Sequence, residues 1–208
     1  LLTFAIGNGI YADIPVQDLK NEYANEHSQF IEVDEMNVHY RDEGEGFPIV
    51  LIHGTAASLH TWDAWTDDLK KTNRVIRMDL PAFGITGPNK NADYSLQAYK
   101  DFLNSFIEKL KLKKFHLAGN SLGGNIAWNY VADYPHKVEK LILVDASGLP
   151  TNKQPPSIFK MAKNPLLKTL FLYVTPKMLI KKNIEEVYAD DSKITEELVN
   201  RYHKMALR

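Results

Sequence analysis

The chain has 208 residues, 44% hydrophobic and 25% charged, which supports one domain with a substantial core and excludes a disordered chain. A net charge of −1 gives no electrostatic footing for nucleic acid, and the Lys clusters near 109–114 and 177–182 read as solvated helix faces. The absence of cysteine excludes disulfides, thiolate nucleophiles and Cys-based zinc sites, and seven histidines without H-E-x-x-H spacing predict no metal and no cofactor.

Residues 1–28 form a lead-in. Its start, Leu1-Leu-Thr-Phe-Ala-Ile6, is apolar but far too short to span a bilayer alone. It reads either as the tail of a truncated membrane anchor or signal segment, or as an element that packs on the domain. Next, Phe30–Val33 and Val38–Arg41 predict a hairpin turned at Asp34-Glu35-Met36-Asn37. Pro48-Ile49-Val50-Leu51-Ile52 is the continuous apolar run of a strand buried on both faces. A helix around Thr61–Lys70 carries Trp62, Trp65 and Leu69, and Val75–Met78 is the fourth strand. Ser95 caps a long helix with an apolar stripe of Leu96, Tyr99, Leu103, Phe106, Ile107 and Leu110. The run Lys114–Ala118 is a further strand. Ile126, Ala127, Tyr130, Val131 and Tyr134 then recur on one helical face, and Val138–Asp145 closes the series. Strands alternating with helices over 29–150 imply an α/β fold, with a mostly parallel, doubly wound sheet begun by an antiparallel hairpin.

Beyond Pro150 the character changes. Residues 151–208 show no buried parallel strand and read as helices broken at Pro155-Pro156, Pro165 and Pro176, with an apolar cluster at Leu166, Leu167 and Leu170–Tyr173.

Three motifs carry the chemistry. Gly119-Asn120-Ser121-Leu122-Gly123-Gly124 stands between a strand and a helix, the context of a nucleophile elbow. Ser121 would occupy a tight turn that lifts its Oγ clear of the sheet, with Gly119 and Gly123 small enough to allow the bend. The helix N-terminus behind it offers free N–H groups where an oxyanion would form. Upstream, the buried strand ends in His53-Gly54-Thr55-Ala56-Ala57-Ser58. The third block runs from Arg74 through Asp79-Leu-Pro81-Ala82-Phe83-Gly84-Ile85-Thr86.

In these motifs the chain resembles the α/β-hydrolases over residues 29 to 150. Its third block is similar to their D-x-P-G-x-G-x-S signature, with Ala82 for the first glycine and Thr86 for the serine. The resemblance implies Ser121 as nucleophile and the backbone N–H groups of Thr55 and Leu122 as oxyanion donors. His53 is then a turn residue, and Asp79 a loop anchor through Asx-type hydrogen bonds. It makes 151–208 part of a helical cap that gives an apolar pocket. Asp13–Lys20 is similar to the amphipathic lead-in of bacterial members with an N-terminal hydrophobic segment, so the cytoplasm or a membrane tether would be the location. The order along the sequence in this family is nucleophile, acid, histidine. The seventh and eighth strands are absent from these 208 residues, so the triad His and acid are expected beyond Arg208, and the chain reads as a fragment ending in the cap and inactive alone. Asp145, at the end of the sixth strand, is an alternative acid that reads better as a loop anchor. His136 ends a helix away from the site, and His203 reads as exposed on a helix Glu196–Leu207.

The leading expectation is a serine hydrolase that cleaves an apolar carboxylic ester through an acyl-enzyme on Ser121. A carbon–carbon bond hydrolase of ring-cleavage products is the alternative, since Gly119-Asn120-Ser121 with Gly123-Gly124 resembles that subfamily's elbow; its usual Gly-Pro-Gly after the HG turn is replaced by Thr55-Ala56-Ala57. An inactive binding module on the same fold is the third. Haloalkane dehalogenases and epoxide hydrolases use aspartate where this chain has Ser121.

Overall fold

The computed structural model describes residues 12–150 and 175–208. The strands are β1 (Ser28–Val33), β2 (Met36–Glu43), β3 (Phe47–Ile52), β4 (Asn73–Met78), β5 (Phe115–Asn120) and β6 (Val138–Val144). The helices are α1 (Val16–Tyr23), α2 (Asp63–Leu69), α3 (Leu96–Lys109), α4 (Leu122–Asp133), α5 (Lys177–Glu185) and α6 (Glu196–Ala206). The chain divides into two compact units, one of Tyr23–Pro150 and one that includes 12–22 and 175–208.

In the larger unit six strands form one sheet in the order β1-β2-β4-β3-β5-β6. β2 runs antiparallel to both β1 and β4, while β4, β3, β5 and β6 are mutually parallel. The mixed sheet, antiparallel at its start and parallel through its centre, is the one the sequence implied. Strict alternation along the central strands sends side chains to two cores. On one face Val50, Ile52, Ile76, Met78 and Leu117 meet Phe102, Leu103 and Phe106 of α3 and Ile126 and Tyr130 of α4. On the other, Ile49, Leu51, Val75 and Ala118 pack around Trp62. Ser95 caps α3 as expected, its Oγ accepting the Ala98 N–H at 3.2 Å.

Two boundaries differ from the sequence reading. The hairpin turn has two residues, not four: Val33 pairs directly with Met36, and Asp34 and Glu35 take φ 47 and 62. Two consecutive positive φ values match the right-handed twist of the flanking strands. Neither residue is the Asn-Gly that such a turn favours, so D34N/E35G is expected to raise stability by about 1 kcal/mol, read as a higher urea midpoint at unchanged slope. The helix expected over Thr61–Lys70 is instead a 3-10 turn, Leu59–Trp62, running into α2.

In the smaller unit Thr195 caps α6 by accepting the Leu198 N–H, Ile14 N–H donates to the Leu207 carbonyl at 2.7 Å, and Lys204 pairs with Glu22 at 2.6 Å. The apolar cluster expected at Leu166–Tyr173 and the apolar start Leu1–Ile6 lie outside the described residues. No described helix is long and apolar enough to cross a membrane.

Candidate active site

Ser121 is the one residue between the end of β5 and the start of α4, and its backbone holds φ 49 and ψ −113. A side-chain-bearing residue at positive φ with such a ψ is strained, by about 1–3 kcal/mol, and persists only where its surroundings impose it. Here they do. The Ser121 N–H donates to the Val144 carbonyl at 3.1 Å, and its own carbonyl accepts the N–H groups of Asn125 and Ser147, each at 3.0 Å. The bend also requires close backbone approach. A Cβ on Gly119 would run into the Gly123 carbonyl, and one on Gly123 would sit 2.5 Å from the His53 carbonyl oxygen.

β3 and β5 are parallel neighbours with Ile52 opposite Gly119, so both strands leave the sheet at the same edge. The His53-Gly54-Thr55 turn therefore emerges against the elbow: a Cβ placed on Gly54 would stand 3.1 Å from Ser121 Cβ. The backbone N–H groups of Thr55 and Leu122 make no hydrogen bond among the described residues. The residue after Gly54 and the residue after Ser121 thus each carry a backbone donor with no partner among the described residues, and Ser121 itself is half-buried. Ala56 follows at φ 56, a conformation that glycine adopts more freely.

His53 is fully buried. Its Nε2 accepts the Leu80 N–H at 3.0 Å, so the ring proton lies on Nδ1, which donates to the Gly54 carbonyl at 2.7 Å. Burial lowers its pKa, outweighing the opposing influences of Asp79 and the Gly54 carbonyl. With both nitrogens engaged, His53 braces the turn and has no free lone pair for a proton. Asp79, equally buried, anchors the neighbouring loops: Oδ1 accepts the Leu59 N–H at 2.8 Å, and Oδ2 accepts the Ile85 N–H at 2.9 Å and the His39 Nδ1–H at 2.8 Å.

That last contact completes a Ser–His–Asp relay which sequence spacing concealed, because its members lie on β1, β2 and the end of β4. Ser28 Oγ stands 2.9 Å from His39 Nε2. It is not a nucleophile site. Ser28 Oγ already accepts the Asn25 N–H at 3.1 Å and the Arg41 Nε–H at 3.3 Å, which occupies both lone pairs. The relay is a latch joining the hairpin to the loops beside the elbow.

No histidine among the described residues is hydrogen-bonded to Ser121. Asp145 is exposed at the end of β6 with φ 44, and His136 is exposed just past α4; neither pairs with the other or with Ser121. His203 departs from expectation. It is buried, with Nε2 2.8 Å from the Thr175 carbonyl, because a histidine on the inner face of a helix is retained where a carbonyl takes its proton. No group of described residues is arranged to hold a metal ion.

Residues 48–170 match the family model of the alpha/beta hydrolase fold. The chain belongs to the α/β-hydrolase fold family. Among its curated relatives is the 2-hydroxy-6-oxo-2,4-heptadienoate hydrolase of Pseudomonas putida, 32% identical over 118 residues that make up 55% of this chain and 42% of that protein. Another is the 2-hydroxy-6-oxononadienedioate/2-hydroxy-6-oxononatrienedioate hydrolase of Comamonas testosteroni, 30% identical over 83% of this chain and 62% of that protein. The chain thus spans less than two-thirds of the length of these relatives. A meta-cleavage product hydrolase from Pseudomonas fluorescens superposes with TM-score 0.73 at 24% identity, covering 86% of this chain and 64% of that one, which shows the fold. These relatives correct the expectation of carboxylic ester cleavage. Both of these named sequence relatives are hydrolases of 2-hydroxy-6-oxo dienoic or trienoic acids, and neither is a carboxylesterase.

Proposed function

We propose that the protein hydrolyses a carbon–carbon bond in a 2-hydroxy-6-oxo-dienoate, the product class of ring cleavage, with Ser121 as its nucleophile. The observation that carries this reading is a strained serine at an elbow, close to two backbone N–H groups with no partner among the described residues, in a protein about 30% identical to hydrolases of such dienoates. Ser121 Oγ adds to the 6-oxo carbon, and the N–H groups of Thr55 and Leu122 hold the resulting oxyanion. Before this attack the 2-hydroxyl ketonises, its proton moving to C5, so that the C5–C6 bond breaks with its electron pair passing through the conjugated chain to the C2 oxygen, which takes up a proton to give the dienol acid. Water releases the second product as a carboxylic acid, so one water is consumed per bond cleaved. A histidine with an acid partner, neither of them found beside Ser121 among the described residues, serves as base. The substrate is a small charged acid, not an apolar ester.

The test is a comparison of kcat/KM for the whole protein on 2-hydroxy-6-oxohepta-2,4-dienoate, followed by loss of its dienol absorbance, and on p-nitrophenyl butyrate. Preference for the dienoate is expected. Turnover of the ester with no consumption of dienoate would sink the proposal.

A further inference from the structure

The loop after β6 is bonded to the elbow on both sides of Ser121. The Val144 carbonyl accepts the Ser121 N–H at 3.1 Å and the Asn120 Nδ2–H at 3.3 Å. Three residues on, Ser147 turns back: its N–H donates to the Ser121 carbonyl at 3.0 Å and its Oγ–H to the same oxygen at 3.2 Å. Ser147 is itself held, since its carbonyl accepts the Trp128 Nε1–H from α4 at 3.3 Å. Gly148, at φ 81, packs so tightly on α4 that a Cβ there would overlap the Asn125 side-chain amide.

The consequence follows from peptide geometry. The Ser121 C=O and the Leu122 N–H belong to one planar trans unit and point in opposite directions. Donors that fix the carbonyl on one side of this plate therefore aim the N–H on the other. The helical bond from Asn125 alone leaves the plate free to rock, because a single acceptor contact at a helix start tolerates a wide range of angles. Two further donors from one residue remove that freedom.

We infer that Ser147 is a positioning residue for the oxyanion donor Leu122 N–H, acting by locking the peptide plane between Ser121 and Leu122. The inference rests on the proposed role of Ser121. It matters most when charge develops on the substrate oxygen, so its loss falls on kcat.

Ser147→Ala in the whole protein is expected to lower kcat about tenfold with KM and Tm unchanged, because a small misorientation of a preorganised donor is expensive. Ser147→Thr, which keeps the hydroxyl, should restore the rate. The rate of Ser121 labelling by a fluorophosphonate should fall by the same factor in Ser147→Ala and recover in Ser147→Thr. Wild-type kcat in Ser147→Ala, a change confined to KM, or a loss that threonine does not restore would overturn the inference. Ser121→Ala separates the two ideas. If it is inert while Ser147→Ala behaves as wild type, only the positioning role falls; if it turns over normally, the nucleophile reading itself has failed.

Discussion

Ser121→Ala is expected to lower dienoate turnover in the whole protein by about four to six powers of ten, the range seen when a nucleophile acting with a base is removed. The site left behind keeps the Thr55 and Leu122 donors, so the remaining activity reports what the oxyanion site achieves without covalent catalysis. Stopped-flow decay of the dienol chromophore covers that range. Loss of less than tenfold would show that Ser121 does not form the intermediate. Ser121→Gly adds a second readout from the same site. At φ 49 and ψ −113 the serine Cβ is strained, and glycine relieves this. The glycine variant should therefore be equally inert yet about 1 kcal/mol more stable than the wild type, since a residue held in an unfavourable conformation for its chemistry costs the fold. An inert variant that is also destabilised would mean that the serine hydroxyl holds the turn together.

The elbow was legible in the sequence because its requirement is local. A strand, a turn too tight for side chains at Gly119 and Gly123, and a helix follow one another without interruption, and the structure shows the backbone crowding that those glycines relieve. The parallel core was legible for a similar reason: runs such as Ile49–Ile52 are apolar at every position because both faces are covered. What was not legible depends on contacts between distant segments. Ser28, His39 and Asp79 carry no shared spacing, and only the β1–β2 and β2–β4 pairings bring them together. His203 looked like a polar residue on a cap helix because the carbonyl that accepts its proton lies 28 residues earlier. The reaction was misjudged for a chemical reason. Ester cleavage and the proposed carbon–carbon cleavage would both begin with attack of serine on a carbonyl and call for two N–H donors, so the roles proposed for Ser121, Thr55 and Leu122 do not distinguish them. The leaving atom does, and what stabilises it as an enolate stands outside these motifs. The absent Gly-Pro-Gly weighed against the carbon–carbon reading, yet Ala56 reaches φ 56 in that turn without a glycine.

Asp79→Ala is expected to destabilise the protein by about 3–5 kcal/mol, the range for removing one partner of a buried ionic pair. The carboxylate is fully buried and receives hydrogen bonds from Leu59, Ile85 and His39, so alanine leaves two backbone N–H groups and a ring N–H without an acceptor. Its charge adds a pH signature. Burial alone would raise the carboxyl pKa, but the hydrogen bond from His39, the charges of His39 and His53 and the Ile85 N–H together hold it at about 2. A carboxyl whose folded pKa lies below its unfolded value of about 4 stabilises the fold fully above that pH, and the contribution is lost as pH falls through the folded value. The window is therefore about pH 4 down to about pH 2, and the amount at stake is about 2 kcal/mol. The depressed pKa of His53 also costs stability on the acid side, since the folded protein resists charging that ring; Asp79 opposes this depression, so an Asp79→Asn variant resists that charging more than the wild type does. Urea denaturation of both proteins from pH 7 to pH 2 isolates the carboxylate. The wild type should lead throughout down to about pH 4, and between about pH 4 and about pH 2 that margin should shrink by about 2 kcal/mol. A margin that stays flat to pH 2 would mean that the two loops are held by the shape of the Asp79 side chain and not by its charge.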